Sequence, residues 1–217
     1  LDAQKHLKRF LDVYPGHAAA DSAQLLLGMS QFQVKSYAEA AVEFSILVRE
    51  FPRSDLLDQA SYQECLCYKE QMSKAQLDPT FAFRTRSCLN EFILRYPDSP
   101  LVEPARSSLQ DIANGLAEKE FRLGIMWTKM KRYRAGIIYF DEVLQKYPTS
   151  LWVPDTLFWK ARCHTERKQY DEAIELLRLL VDSFPDHKVT DQAKRELEHL
   201  EKVRAAERTS EQAGRQR

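Results

Sequence analysis

Glycine is scarce in this chain of 217 residues, with only six in all. That is too few for an all-β protein built on tight turns, or for several phosphate-cradling loops. Long apolar runs are missing too, since no stretch approaches the roughly 20 consecutive apolar residues of a membrane-spanning helix. Net charge is absent: 32 Lys and Arg stand against 32 Asp and Glu. Bulk electrostatics therefore ask for neither nucleic acid nor an anionic membrane surface. With 44% apolar and 29% charged residues, the composition is that of an ordinary globular chain and excludes wholesale disorder. No secretory leader is visible. Leu1 opens directly into DAQKHLKRF, which reads as the interior of a helix; a processed or truncated product is expected.

Catalytic signatures are lacking as well. There is no HExxH, GxSxG, Walker loop or GxGxxG, so no enzyme and no cofactor are expected. The four cysteines are Cys65, Cys67, Cys88 and Cys163. Cys65 and Cys67 do not form a CxxC, and residues two apart on a helix point to different faces. A zinc site would lack its second pair. Two readings stay open for these residues. One is a buried thiol at Cys65; the other is a disulfide from Cys88 to Cys65 or Cys67, which an oxidising compartment permits. Glu196 and His199 have the spacing of half a di-iron motif, but no second ExxH exists and the surrounding KRELEHLEKVR reads as a solvated helix face. No metal site is expected.

What is present is a repeat. Five aromatic–proline pairs close amphipathic segments: Tyr14-Pro15, Phe51-Pro52, Tyr96-Pro97, Tyr147-Pro148 and Phe184-Pro185, with prolines 37, 45, 51 and 37 residues apart. Proline ends a helix by removing a donor and clashing with the preceding turn, and the Ser, Asp or Thr after it starts the next one. Two helical segments lie between consecutive prolines. In the second repeat Tyr37, Ala40, Ala41, Phe44, Leu47 and Val48 recur at three and four residues, preceded by a segment with Ala23, Leu26 and Leu27 on one face. The strings Tyr37/Ala40/Phe44/Pro52, Tyr133/Gly136/Phe140/Pro148 and Tyr170/Ala173/Leu177/Pro185 resemble the second helix of the tetratricopeptide repeat. Gly28 and Gly124 take the small position of the first helix, where the two helices come close. That resemblance implies an all-α fold, a right-handed superhelix of helix-turn-helix repeats whose stacking makes a continuous core.

The irregular intervals organise the rest. Gln71 to Thr85, with Pro79, is expected as a loop inserted in the third repeat. Leu101 to Met130 keeps a helical period with only Pro104 and Gly115 against it, and reads as one long helix. Residues 1–99 are thus expected to form an N-terminal half with an incomplete first repeat. Residues 100–203 hold the long helix and a C-terminal half, and 204–217 a polar tail, frayed and then disordered.

With the LAEKEFRLG string at Leu116 to Gly124, the YPDSP turn and the DPT insertion, the chain resembles the BamD family, the tetratricopeptide lipoproteins of the outer-membrane β-barrel assembly (Bam) complex. The resemblance covers Ala3 to about Val203. It implies a non-enzymatic scaffold lipid-anchored at the periplasmic face of the outer membrane through an N-terminal cysteine absent from this chain. The partners it implies are the barrel-forming subunit, the accessory lipoproteins and unfolded outer-membrane proteins, with no nucleic acid. Two alternatives stand beside it: the periplasmic cell-division coordinator of the Tol–Pal system, which has similar repeats with a period of 37 but against which the intervals of 45 and 51 argue, and a cytoplasmic repeat adaptor.

Two surfaces are expected to carry function. Counting repeat positions along the concave face gives an apolar stripe of Leu25, Met29, Phe32, Tyr62 and Leu66, with Lys69 at its edge to meet a terminal carboxylate. Extended peptides ending in an aromatic residue would suit it. On the helix from Tyr133 to Lys146, the face carrying Ile137, Phe140 and Leu144 turns to the core. Arg132, Tyr139, Glu142, Gln145 and Lys146 are left outward for the barrel-forming subunit, with Tyr139 as anchor.

Overall fold

The computed structural model describes residues 2–72 and 79–215. Among them the chain is all-α, with ten helices and no strand. These are α1 (Asp2–Val13), α2 (Ala20–Gln33), α3 (Tyr37–Glu50), α4 (Leu57–Gln71), α5 (Pro79–Arg95), α6 (Val102–Lys129), α7 (Tyr133–Lys146), α8 (Val153–Glu166), α9 (Tyr170–Ser183) and α10 (Thr190–Arg215). Each aromatic–proline pair sits just past a helix end, as proline chemistry requires. The long segment forms a single 28-residue helix, α6. Two further expectations are corrected. Most of the inserted segment is not loop: Pro79 starts α5, a first-turn position where its missing donor costs nothing, and residues 73–78 lie outside the described residues. Nor does a tail begin at residue 204, since α10 continues to Arg215. Arg204 forms a fork onto Asp171, with Nη2 2.7 Å and Nε 3.0 Å from its carboxylate oxygens, and this pins α10 to α9.

The chain divides into two compact units, 1–112 and 113–217. In the N-terminal unit successive helices α1 to α5 pack in sequence. Its core centres on Phe44, Leu47, Ala40 and Ala60, all fully buried, with Leu25 and Tyr68 against them. In the C-terminal unit α7, α8, α9 and α10 follow the same rule. Phe140 and Val143 pack with Ala117, Phe121 and Cys163 in one cluster, and Leu177, Leu180, Ala173 and Ala161 in another.

Helix pairs approach closely where the glycines stand. A Cβ on Gly28 would lie 2.6 Å from Cε1 of Phe44, and one on Gly124 would lie 2.5 Å from Cε1 of Phe140. Only a residue without a side chain lets each first helix reach its partner's aromatic ring. Adding 96 to a residue number in the second repeat gives its counterpart in the fourth, and the two contacts coincide under that shift. The turns coincide too. Lys35, Lys131 and Lys168 take the left-handed conformation, with φ of 63°, 57° and 58°. At each, two backbone bonds close the preceding helix: Lys35 N–H donates to Phe32 O and Ser36 N–H to Gln31 O, with the same pair at Lys131/Arg132 and Lys168/Gln169. This is the Schellman arrangement usually served by glycine.

The cysteine alternatives resolve into a disulfide, Cys65–Cys88, with Cα atoms 5.4 Å apart, joining α4 to α5. Cys67 and Cys163 are buried free thiols. Burial, then the Glu64 carboxylate, pushes the Cys67 thiol up to about 12, so at neutral pH it does not supply a thiolate to attack the neighbouring disulfide.

Candidate functional site

The expected groove in the N-terminal unit is only partly a free surface. Leu25 is 8% exposed and belongs to the core around Phe44. Met29 and Phe32 are half-buried against that core, and Phe32 meets Tyr37 edge-on with ring centres 5.1 Å apart. Tyr62 is half-buried with its ring 5.6 Å from that of Phe92, and Leu66 is half-buried. The expectation of an uncovered stripe is corrected accordingly. Consensus positions say where a residue sits on its helix, whereas a long side chain bends into whatever gap its neighbours leave. Lys69 is not a waiting cation. Its Nζ lies 3.3 Å from Asp111 Oδ2 and 3.1 Å from Ser108 Oγ, both on α6. The apolar residues exposed on α2 and just past its end are Leu26 and Val34, at 56% and 59%; the sequence places Leu26 on the inward face.

Between α4 and α5 a polar chain, half-buried at Glu64 and exposed at Arg84, ties the two helices a second time. Tyr68 Oη donates to Glu64 at 2.7 Å, and Arg84 donates to Tyr68 Oη at 3.0 Å while its guanidinium stacks 4.0 Å from the ring centre. Burial raises the Glu64 carboxyl above its usual range, against the lowering pull of the Tyr68 hydrogen bond and Arg84. Burial and the bond to Glu64 push Tyr68 up to about 12. The chain is a structural link, with both ends satisfied.

The residues expected as an interface on and just before α7 are not equally available. Arg132 precedes the helix and is exposed, as are Gln145 and Lys146. Tyr139 and Glu142 are half-buried. Glu142 is paired with Lys146 one turn on, so the two charges largely answer each other. The apolar side chain α7 offers outward is Ile138, 61% exposed.

The C-terminal unit has an opening absent from the expectations. It is a groove of about 540 Å³ lined by Phe121, Arg122, Ile125, Met126, Lys129, Met130 and Trp152. Phe121 and Ile125 are the counterparts, under the shift of 96, of Leu25 and Met29. The signal was in the sequence. Residues 121–140 contain Arg122, Lys129, Lys131, Arg132 and Arg134 and no acidic residue, a local imbalance hidden by the zero net charge of the whole. Among the described residues no cluster of His, Cys, Asp and Glu could hold a metal ion, and no helix is long and apolar enough to cross a membrane.

Comparison with known proteins gives this geometry its relatives. A tetratricopeptide-repeat model matches residues 155–187, covering α8, α9 and the turn between them. The chain is 23% identical over 175 residues to the outer membrane protein assembly factor BamD of Rickettsia prowazekii, covering 81% of this chain and 70% of that protein. It is 25% identical over 134 residues to the BamD of Caulobacter vibrioides, covering 62% of this chain but only 44% of that protein. A tetratricopeptide repeat protein from Parabacteroides merdae is a distant structural likeness, with TM-score 0.35 and 14% identity over 94% of this chain and 67% of that one. The model of the family described as outer membrane lipoprotein (YfiO) matches residues 1–167, more than three quarters of the chain; the chain belongs to that family.

Proposed function

We propose that the chain is a non-enzymatic scaffold in the assembly of outer-membrane β-barrel proteins. In this reading it is lipid-anchored at the periplasmic face of the outer membrane. It holds the barrel-forming subunit of the Bam complex and its accessory lipoproteins, and it receives segments of unfolded outer-membrane proteins. The observation that carries the reading is the family match over residues 1–167, with relatives named for outer membrane protein assembly. Two physical features support it. Stacked helix pairs bury one face of each helix and leave long outer surfaces suited to protein contact. The Cys65–Cys88 disulfide suits an oxidising compartment outside the cytoplasm.

Unfolded segments are assigned to the N-terminal unit, over Met29, Phe32, Tyr62 and Leu66. A terminal carboxylate there must compete with Asp111 for Lys69. The barrel-forming subunit is assigned to the outward side of α7, with Tyr139 as anchor and Arg132, Glu142, Gln145 and Lys146 around it. Because Glu142 and Lys146 already pair, they orient a partner more than they hold it.

The test is a pull-down of the barrel-forming subunit's periplasmic domains. Tyr139→Ala with Glu142→Lys is expected to release them. Phe32→Ala with Tyr62→Ala is expected to leave them bound while weakening an aromatic-ended peptide by roughly 1–3 kcal/mol. Loss of the pull-down in the Phe32/Tyr62 variant alone overturns the assignment of the two surfaces.

A further inference from the structure

The acid-free stretch of the C-terminal unit serves neither surface above, apart from Arg132. Its cations are not spent on the fold. Lys129, Lys131, Arg132 and Arg134 are exposed, and among the described residues none of the four makes an ion pair. Arg122 alone is engaged, by Glu118 one turn earlier at 2.5 Å. The end of α6 accounts for some of this charge, because cations near a helix C-terminus are stabilised by its dipole. That effect covers Lys129 and Lys131. It does not cover Arg134, which stands in the first turn of α7, where the dipole disfavours a cation.

Apolar surface lies beside the charge. Met126 is 41% and Met130 60% exposed, while Phe121, Ile125 and Trp152 form the groove's interior. No acidic residue lines it. Methionine is flexible and polarisable, and it adapts to side chains of varied shape. The corresponding stretch of the N-terminal unit, residues 25–44, holds one cation, Lys35, and two acids, Glu39 and Glu43. The combination of groove and cations is therefore particular to the fourth repeat and is not a consequence of the repeat itself.

We propose that this groove docks an extended protein segment carrying one or two apolar side chains flanked by carboxylates. Charge complementarity selects the partner: the unpaired cation Lys129 and the singly paired Arg122 on the wall, no acid beside them, and a cavity large enough for one or two apolar side chains. Arg122 and Lys129 are seven residues apart on α6, about 10 Å along the axis at 1.5 Å per residue. That is the span of roughly three residues of extended chain, so carboxylates on either side of an apolar pair reach Lys129, which is unpaired, and Arg122, which they share with Glu118. An anionic bilayer would meet the cations but would leave the concave apolar wall unfilled. The inference stands independently of the assembly role.

The probe is a fluorescein-labelled peptide with adjacent Leu and Phe flanked on each side by two Glu, titrated against the whole chain and read by anisotropy. A control carries Lys in place of Glu. The acidic peptide is expected to bind at least about tenfold tighter than the control, and to weaken as salt rises. Lys129→Glu with Arg122→Glu is expected to lose about tenfold in affinity, and Met126→Ser with Met130→Ser a similar amount, each with an unchanged helical circular dichroism spectrum. Equal binding of the two peptides, or affinity indifferent to both variants, overturns the proposal. So does sedimentation of the chain with phosphatidylglycerol vesicles in the absence of any peptide binding, which would identify the patch as a lipid-binding surface instead.

Discussion

The second and fourth repeats share one scaffold and use it differently. Under the shift of 96 their glycine–phenylalanine contacts, left-handed lysines and paired turn bonds superimpose in sequence. Their exposed faces do not. Where the second repeat has Leu26, Ser30, Gln33 and Val34, the fourth has Arg122, Met126, Lys129 and Met130. The comparison separates two sorts of constraint. Positions where helices touch accept one or two residue types, because steric fit is costly to violate. Positions one residue further round the helix are nearly free to change and are where a repeat acquires a partner.

Covalent chemistry distinguishes the two units most sharply. Only the N-terminal unit has a disulfide among the described residues. Cys88→Ser, or reduction, should destabilise that unit by about 3 kcal/mol, from the chain entropy of a loop of this length. Urea unfolding followed by hydrogen exchange would show α4 and α5 losing protection while α8 and α9 keep theirs. Equal loss in both sets would break the distinction.

The glycine contacts are the place where the units should behave alike. Gly28→Ala and Gly124→Ala each drive a methyl into a buried phenylalanine ring and should each cost roughly 1–3 kcal/mol. Unequal costs in denaturant titrations would show that one ring has room to move. A smaller effect of opposite sign belongs to the turns. Lys35→Gly, Lys131→Gly and Lys168→Gly relieve a left-handed side-chain conformation and should each raise stability by up to about 1 kcal/mol, visible as a higher Tm. A drop in all three would mean the lysine side chains have a role the backbone does not explain.

The smallest effect is confined to the C-terminal unit. Burial, then the nearby Lys160 charge, lowers the pKa of His164 below 6.5, and its Nδ1 is buried without a hydrogen-bond partner. A depressed histidine takes up its proton more readily when unfolded. Its contribution to stability is therefore present above pH 6.5 and is lost as pH falls below that value. His164→Gln should flatten that part of the pH–stability curve, measured by thermal unfolding between about pH 7 and 5. An unchanged slope would assign the acid sensitivity elsewhere.

Much of the fold was legible in the sequence. Aromatic–proline pairs placed the ends of α1, α3, α5, α7 and α9, and the unbroken helical period of α6 announced a single helix. The first turns of α5, residues 79–85, read as loop in the sequence because Pro79 is a loop marker there, whereas it occupies a helix's first turn, where the same residue is favoured. The candidate surfaces were less legible. The stripe through Leu25 came from helix position alone, and position does not say that Leu25 packs beneath Phe44 or that Asp111, 42 residues away, takes Lys69. The groove at Met126 and Met130 was missed although its cations lie close together in the sequence, because the balance of the whole chain concealed them.

By itself the sequence determined most of the helical segments, the helix ends marked by aromatic–proline pairs and the glycine–phenylalanine pairs that must touch, since these follow from local backbone chemistry and a period of 3.6 residues. Tertiary structure alone decided which of Cys65 and Cys67 meets Cys88, whether Lys69 is free, and which apolar residues remain at the surface. Those outcomes depend on side chains distant in sequence competing for the same space and the same partner.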